Sequence, residues 1–324
     1  MSNRLKEIQQ PIQSELAEFE VRFRQSMKSK VALLDTIMTY IVKRKGKQMR
    51  PMFVLLSARL FGEINERSYR GASLVELLHT ATLVHDDVVD DADRRRGFFS
   101  INALWKNKVA VLVGDYLLSK GLLLALKNKD FDMLEILSTA VEEMSEGELL
   151  QMEKARKLDI TEEVYFDIIS KKTASLIASC CAIGAASANQ PEKVINQMHA
   201  FGLSAGIAFQ IKDDLLDFGG DDIGKPTGID IIEKKMTLPL IHALQQADRS
   251  ERKRIIKIVR SDKKKKAEVM QVVDFVRKHG GIKYAHQHLI AYREKAIGIL
   301  KEMEHTGDPH YLEALVEFVI DRNK

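Results

Sequence analysis

Apolar residues recur at spacings of three and four along almost the whole of this chain. One such series consists of Leu289, Tyr292, Ala296, Ile297 and Leu300. Alternating apolar and polar runs, which predict half-buried strands, are nearly absent. Because only six prolines and eighteen glycines interrupt the 324 residues, the sequence predicts an all-α protein.

The segments between break signals predict the individual helices. They are expected at 5–28, 31–44, 51–62, 66–93, 109–127, 131–155, 162–188, 192–218, 235–247, 251–260, 264–279, 282–304 and 308–322. No linker rich in Pro, Gly or Ser divides the chain. We therefore predict a single domain over 1–324, an antiparallel helix bundle around a central cavity.

Composition narrows the class of protein. A hydrophobic content of 45% with 30% charged residues fits a soluble globular protein, and a net charge of +4 is too small to indicate nucleic-acid binding. Cys180 and Cys181 are adjacent in an apolar stretch, which suits neither a disulfide framework nor a zinc site and predicts a reducing cytoplasm. No uninterrupted apolar stretch approaches about 18 residues, so no membrane span is expected. The lysine run 263–266 is interpreted as a solvated helix start.

One acidic pattern, Asp-Asp-x-x-Asp, occurs twice, each time after an apolar run. The copies are Asp86-Asp87-Val88-Val89-Asp90 and Asp213-Asp214-Leu215-Leu216-Asp217. The outer aspartates of each copy are four residues apart, so both project from one helix face. A single acidic run is more often a solvated face, but two identical spacings among apolar residues favour a metal site. Oxygen ligands favour a hard cation such as Mg²⁺, and we interpret the copies as two halves of one site.

Basic residues flank both acidic copies. Gly46-Lys47-Gln48-Met49-Arg50-Pro51 comes one helix before the first copy, and Arg94-Arg95-Arg96-Gly97 follows it. The second copy is followed by Gly224-Lys225-Pro226-Thr227-Gly228 and by Lys234-Lys235-Met236-Thr237-Leu238-Pro239. Each cluster alone is as well explained by a helix cap or surface charge as by phosphate binding. Together with carboxylates and magnesium, the clusters indicate diphosphate binding.

These motifs, in this order, resemble the trans-isoprenyl diphosphate synthases of the polyprenyl synthetase family. The resemblance covers about residues 46 to 240 and also includes His79-x(6)-Asp86, Lys172-Thr173-Ala174 and Phe209-Gln210-x-x-Asp213. It implies the isoprenoid synthase fold and a long-chain enzyme of the octaprenyl or heptaprenyl type. Gln48 departs from the family pattern, which commonly has a second basic residue there, and we leave it out of the site.

The resemblance implies a reaction and a role for each matched residue. An allylic diphosphate ionises, the double bond of isopentenyl diphosphate attacks the cation, and a proton is lost. Three Mg²⁺ ions, for which Mn²⁺ can substitute, would be held by Asp86, Asp87, Asp90, Asp213, Asp214 and Asp217. The allylic diphosphate would be bound by Arg95, Lys172, Lys225 and Lys235. Isopentenyl diphosphate would be bound by Lys47, Arg50, His79 and Arg96. Thr173 and Gln210, beside Lys172, would stabilise the cation with oxygen dipoles.

His79 lies on the predicted helix that leads to the first acidic copy. His79 alone would be interpreted as a core histidine, but its position seven before Asp86 puts both near one helix face.

Product length in this family depends on residues just before the first acidic copy, here Ala81 and Thr82. Because Ala81 is small, it leaves room for a growing chain, and a product longer than farnesyl or geranylgeranyl is expected, with a quinone side chain as its use.

The alternatives are a farnesyl or geranylgeranyl synthase, a terpene cyclase and a non-catalytic subunit of a heteromeric synthase. Two full Asp-Asp-x-x-Asp copies argue against a cyclase, and the retained aspartates and basic residues argue against a non-catalytic subunit. We expect a cytoplasmic homodimer that binds no nucleic acid, and a partnership with a different small subunit stays open. Peripheral membrane contact during product release is compatible with it.

Overall fold

The computed structural model describes residues 3–43, 46–95, 97–158, 160–219 and 228–321. Up to the second acidic copy the helices are α1 (Asn3–Gln9), α2 (Gln13–Ser26), α3 (Ala32–Lys43), α4 (Met49–Arg59), α5 (Glu66–Val89), α6 (Ile101–Trp105), α7 (Asn107–Asn128), α8 (Phe131–Lys157), α9 (Glu162–Ile169), α10 (Ser175–Ser187) and α11 (Glu192–Leu216). The later ones are α12 (Ile229–Ile232), α13 (Leu238–Gln246), α14 (Arg249–Arg260), α15 (Lys266–Lys278), α16 (Gly281–Glu302) and α17 (His310–Ile320). The all-α prediction is confirmed.

One two-stranded hairpin interrupts this pattern. The helix predicted over 66–93 ends at Val89, and β1 (Arg94–Arg95) then pairs antiparallel with β2 (Phe98–Phe99). Gly97 in the turn has φ +80°, which favours glycine. Strands of two residues are too short to show alternation, so the sequence could not reveal them.

Other differences have local causes. The predicted helix 5–28 is divided by a 3-10 turn, Gln10–Ile12, which contains Pro11. The helix predicted from 235 begins at Leu238, because Thr237 is extended and Pro239 occupies the first turn. The short helices α6 and α12 were not predicted.

Close contacts divide the chain into two compact units. Unit 1 comprises Met1–Ser138, Cys180–Met198 and Glu304–Leu312, and unit 2 comprises Thr139–Ser179, His199–Met303 and Glu313–Lys324. Unit 1 contains the first acidic copy and unit 2 contains the second.

In unit 1, α5 packs along α7. A capping box between Asn65 and Ser68 begins α5. A Cβ added at Gly121 would overlap Leu78, and one added at Gly114 would overlap His85. The two glycines therefore let α7 lie close against the face of α5 that leads to the first acidic copy.

In unit 2, a π-helical turn, Ser170–Ala174, joins α9 to α10 where one continuous helix was predicted. Neighbouring helices approach this turn closely. A Cβ at Gly147 of α8 would come 2.9 Å from Lys171 Cβ, and one at Gly206 of α11 would come 2.5 Å from Ala174 Cα. π turns occur frequently at functional sites. This one contains Lys172 and Thr173, which agrees with their predicted place in the active site.

Two helical stretches, Asn107–Asn128 and Glu162–Ser187, are long and apolar enough to cross a membrane by length and composition alone. The second is mostly buried within the protein, as expected of a core helix, whereas a third of the first is buried. These stretches reach that length because the criterion tolerates a few charged residues, whereas no uninterrupted apolar run in the sequence is as long.

Candidate active site

The first acidic copy lies at the carboxyl end of α5. Asp87 is buried with 4% exposure, whereas Asp86 and Asp90 are exposed. The Asp90 amide donates to the Asp86 carbonyl at 2.8 Å, so the two residues are one helical turn apart. The carboxyl end of a helix carries partial negative charge, so three carboxylates there favour a bound cation.

The basic residues of unit 1 that are expected to bind diphosphate lie on α4 and α5, just before α4, and in or next to β1. Arg50 Nε donates to Glu76 Oε1 at 2.9 Å, which fixes its side chain between the two helices. Lys47 is exposed just before α4, and Gln48 between them has φ 55°, a strained backbone for a residue other than glycine. His79 is half-buried on α5. The structure places Arg95 in β1 without describing its side chain, and Arg96 lies outside the described residues.

The two residues expected to govern product length differ in exposure. Ala81 is fully buried. It lies three residues after Leu78 and four before His85, so it shares the α5 face that packs on α7. Thr82 is half-buried and donates its hydroxyl to the His79 carbonyl at 2.9 Å.

The second acidic copy, at the carboxyl end of α11, is held by a chain of hydrogen bonds within unit 2. Thr173 Oγ1 donates to Gln210 Oε1 at 3.0 Å, and Gln210 Nε2 donates to Asp214 Oδ1 at 3.0 Å. Tyr165 donates its hydroxyl to Asp214 Oδ2 at 2.6 Å. The π turn is thereby connected to the acidic copy, and the Asp214 carboxylate is fixed from both sides.

Asp217 has a different environment. Its Oδ1 accepts the Ile229 amide at 2.8 Å and its Oδ2 accepts the Asp230 amide at 3.1 Å. Asp217 thus caps the amino end of α12 and brings Asp230 to the acidic copy. Lys235 Nζ lies 3.4 Å from Asp230 Oδ1 and 2.6 Å from Glu233 Oε2, so Lys235 is also close to these carboxylates.

Two further lysines, Lys172 and Lys225, are expected to bind the allylic diphosphate. Lys172 Nζ donates to Gln151 Oε1 at 3.2 Å and forms an ion pair with Glu148 on α8. This places the ammonium group beside acidic and amide side chains that extend from the neighbouring helix. Lys225 lies outside the described residues.

Burial disfavours the ionised form of these carboxylates when no cation is bound. Desolvation raises the pKa of Asp214 to about 7, although the hydrogen bonds from Tyr165 and Gln210 oppose it, and Asp230 and Asp213 add repulsion. Desolvation and then Asp230 raise the pKa of Asp217 to about 6. The pKa of Asp230 is also raised, mainly by burial.

A divalent cation would relieve both effects, since it replaces lost hydration and offsets the repulsion. The donor set therefore fits a hard metal ion. Within either unit, no three His, Cys, Asp or Glu side chains of the described residues already converge on one point. Each acidic copy by itself supplies only part of a coordination shell.

Sequence reasoning missed two residues. Asp230 follows the Gly-Lys-Pro segment and carried only a weak signal, a lone aspartate near basic residues. Tyr165 gave none, because its hydroxyl reaches Asp214 from an apolar helix 49 positions earlier.

Comparison with known proteins agrees with this architecture. Residues 31–276 match the family model described as polyprenyl synthetase. The chain is 35% identical over 315 residues to an all-trans-nonaprenyl-diphosphate synthase (geranyl-diphosphate specific) of Rhodobacter capsulatus, covering 96% of both chains. It is 34% identical over 314 residues to a geranylgeranyl diphosphate synthase of Saccharolobus solfataricus, covering 94% of each.

A solved structure gives the same result. The polyprenyl synthase of Caulobacter crescentus CB15, complexed with calcium and isoprenyl diphosphate, superimposes with a TM-score of 0.88 at 30% identity, covering 99% of this chain and 98% of that one. The fold, the acidic copies and the matched segment together establish that this chain belongs to the polyprenyl synthetase family of trans-prenyltransferases.

Proposed function

We propose that this enzyme condenses isopentenyl diphosphate with an allylic diphosphate and makes a long-chain all-trans polyprenyl diphosphate in a Mg²⁺-dependent reaction. The observation that carries the proposal is the position of both Asp-Asp-x-x-Asp copies at the carboxyl ends of α5 and α11. Carboxylates at the negative end of a helix gain most from a cation. Bound magnesium would supply Lewis-acid stabilisation of a departing diphosphate.

The protein residues would divide the remaining work. Asp86, Asp90 and Asp213 would face the metal ions, and Tyr165 and Gln210 would keep Asp214 in one orientation. Thr173 would direct its hydroxyl hydrogen to Gln210 and turn its oxygen lone pairs outward to an allylic cation. No side-chain base is invoked, because the departing diphosphate can accept the final proton.

The basic residues would bind the two diphosphates. Lys47, Arg50 and His79 would hold isopentenyl diphosphate together with Arg96, and the Glu76 contact would orient Arg50 in advance. Lys172 and Lys235 would hold the allylic diphosphate, with Arg95 and Lys225 as further contributors. Charge-assisted hydrogen bonds of this kind contribute about 1.5–3 kcal/mol each.

We further propose that the product is long and serves as a quinone side chain. Ala81 supports this, because its side chain is small and would leave room for a growing chain. The relatives do not decide the length, since one is a nonaprenyl and another a geranylgeranyl synthase. A geranylgeranyl or farnesyl product is therefore the second candidate.

We propose that the enzyme is a cytoplasmic homodimer. An apolar stripe on α7 remains exposed opposite its contact with α5, formed by Val111, Leu112, Leu122, Leu123 and Leu126. Apolar surface of this extent favours burial against a second copy. The buried free thiols of Cys180 and Cys181 suit a reducing compartment.

Product analysis tests the function directly. The purified enzyme, Mg²⁺, isopentenyl diphosphate and geranyl or farnesyl diphosphate should give polyprenyl diphosphates longer than twenty carbons, separated as alcohols by reversed-phase chromatography. A product that stops at geranylgeranyl would support the second candidate. The absence of any condensation product would contradict the proposal.

Stabilisation by magnesium should increase with pH. Since the pKa of Asp214 is raised to about 7, the metal-free fold is favoured when this group is protonated and loses that stability as pH rises from about 4 through 7. Magnesium must displace the proton to bind. The gain in melting temperature on adding Mg²⁺ should therefore be small at about pH 5.5 and several degrees larger at about pH 8.

The variant Asp214→Asn should reduce this pH dependence, because it removes the carboxylate with the pKa of about 7 and leaves Asp217, whose pKa is about 6. Asp274→Asn, an exposed carboxylate elsewhere in unit 2, should leave it unchanged. An equal magnesium-induced gain at both pH values in the parent enzyme would show that protons and metal do not compete at these carboxylates.

A further inference from the structure

The outer face of α14 carries a continuous row of cations. Arg249, Lys253, Lys257 and Arg260 are spaced by four, four and three residues, so they lie along one side of the helix. All four are exposed. The opposite side buries Ile255 and Val259 against the rest of unit 2, which fixes the direction in which the basic row points.

Among the residues that the structure describes, no acidic side chain pairs with the four cations of this row. Glu251 is only 17% exposed and is engaged by Lys278 Nζ at 3.0 Å and His279 Nε2 at 2.9 Å. Asp248 uses its carboxylate to cap the amino end of α14. Asp262, after the helix, forms an ion pair with Lys234. The nearby carboxylates are thus already committed to other partners.

The basic surface continues past the helix. Lys263, Lys265 and Lys266 are exposed at the start of α15. Residues 249–266 contain ten Lys and Arg against two Asp and Glu, a net charge of +8, whereas the whole chain carries +4. The rest of the chain is therefore net acidic at −4, so residues 249–266 account for the whole positive net charge.

Such a row is unfavourable in isolation, because like charges at i,i+4 on a helix repel one another. A counter-charge that spans the row would relieve the repulsion. No large apolar side chain is exposed between 249 and 266, so the surface lacks the apolar centre of a protein interface. The segment also has no aromatic residue on which nucleic-acid bases could stack.

We propose that the basic face of α14, extended by the lysines that begin α15, is a docking surface for an anionic phospholipid membrane. A plane of lipid phosphates matches an exposed row of cations without apolar insertion, and binding would be reversible and sensitive to salt. The choice of a lipid rather than another anionic partner rests on the proposed function, because a long polyprenyl product is apolar and must be released into a bilayer.

Vesicle flotation with the full-length enzyme, without substrates, tests this surface. The parent should bind vesicles of phosphatidylcholine with about one third phosphatidylglycerol and should lose this binding at about 0.5 M salt. It should not bind vesicles of pure phosphatidylcholine. The fourfold variant Arg249→Gln, Lys253→Gln, Lys257→Gln and Arg260→Gln should bind at least about tenfold more weakly. Glutamine preserves helix propensity, and circular dichroism should confirm that the variant is folded.

A matched control removes four exposed lysines of other surfaces, with the variants Lys127→Gln, Lys193→Gln, Lys283→Gln and Lys301→Gln. It makes the same change in net charge and should keep parental binding. Equal binding by the fourfold α14 variant, equal loss in the control, or tighter binding to a single-stranded RNA oligonucleotide than to the anionic vesicles would each overturn the proposal.

Turnover in detergent separates this proposal from the proposed function. The α14 variant should condense substrates at the parental rate, since its residues lie outside the diphosphate sites. Binding of the parent to anionic vesicles without any prenyl product would refute the function and leave the docking surface standing. Long products without vesicle binding would support the proposed function and refute the docking surface.

Discussion

Replacing Asp86 or Asp213 with alanine should lower kcat by about 100- to 1,000-fold each, with the helix content unchanged. Loss of one group that stabilises developing charge has an effect of this size in other enzymes. Asp86 lies in the last turn of α5 and Asp213 in the last turn of α11, so each variant removes one carboxylate from a different acidic copy. The measurement is the steady-state rate at saturating Mg²⁺ and both diphosphates, with circular dichroism as the check on folding.

The thermal stability of the metal-free variant distinguishes a catalytic defect from a folding defect. Asp213 adds repulsion at Asp214, so Asp213→Ala should melt at the same temperature as the parent or slightly higher. Asp274→Ala, which removes an exposed carboxylate of unit 2, should retain full turnover. Near-normal turnover of a folded double variant, Asp86→Ala with Asp213→Ala, would eliminate the metal assignment.

The long helices were accessible from the sequence because their periodicity is local. Helices α5 and α11 were expected at 66–93 and 192–218, close to their observed bounds, and the acidic copies fall at their ends. The π turn at Ser170–Ala174 was not accessible. Its position depends on Gly147 and Gly206, two glycines of other helices, and no pattern within 162–188 reports such contacts.

The environment of the second acidic copy was equally hidden. The sequence shows three aspartates of the same type, but the fold gives them different surroundings. Asp214 is buried between Tyr165 and Gln210, whereas Asp217 caps α12 through two backbone amides. These differences arise from residues that are far away in sequence or that form a helix too short to predict, so spacing alone could not distinguish these two environments.

Product length should shorten sharply when Ala81 is replaced with phenylalanine. Ala81 is fully buried on the face of α5 that meets α7, more than one turn before Asp86. A phenyl ring there has no empty surface to occupy, so it must enter the space a growing chain would use or displace its neighbours. Overpacking of this kind costs about 1–3 kcal/mol of folding free energy, which a melting curve would detect without loss of the fold.

The effect on the reaction should be selective. The first condensation takes place at the diphosphate end, near the acidic copies, and should proceed at close to the parental rate with a short primer. Later condensations push the chain toward position 81, and Ala81→Phe should stop them after a few additions, whereas Ala81→Ser, which hardly changes the volume, should give parental chains. If Ala81→Phe and the parent make chains of equal length, the floor of the tunnel is set by another side chain, and deeper positions on the same helix, such as Leu78 and Leu74, become the ones to enlarge or reduce.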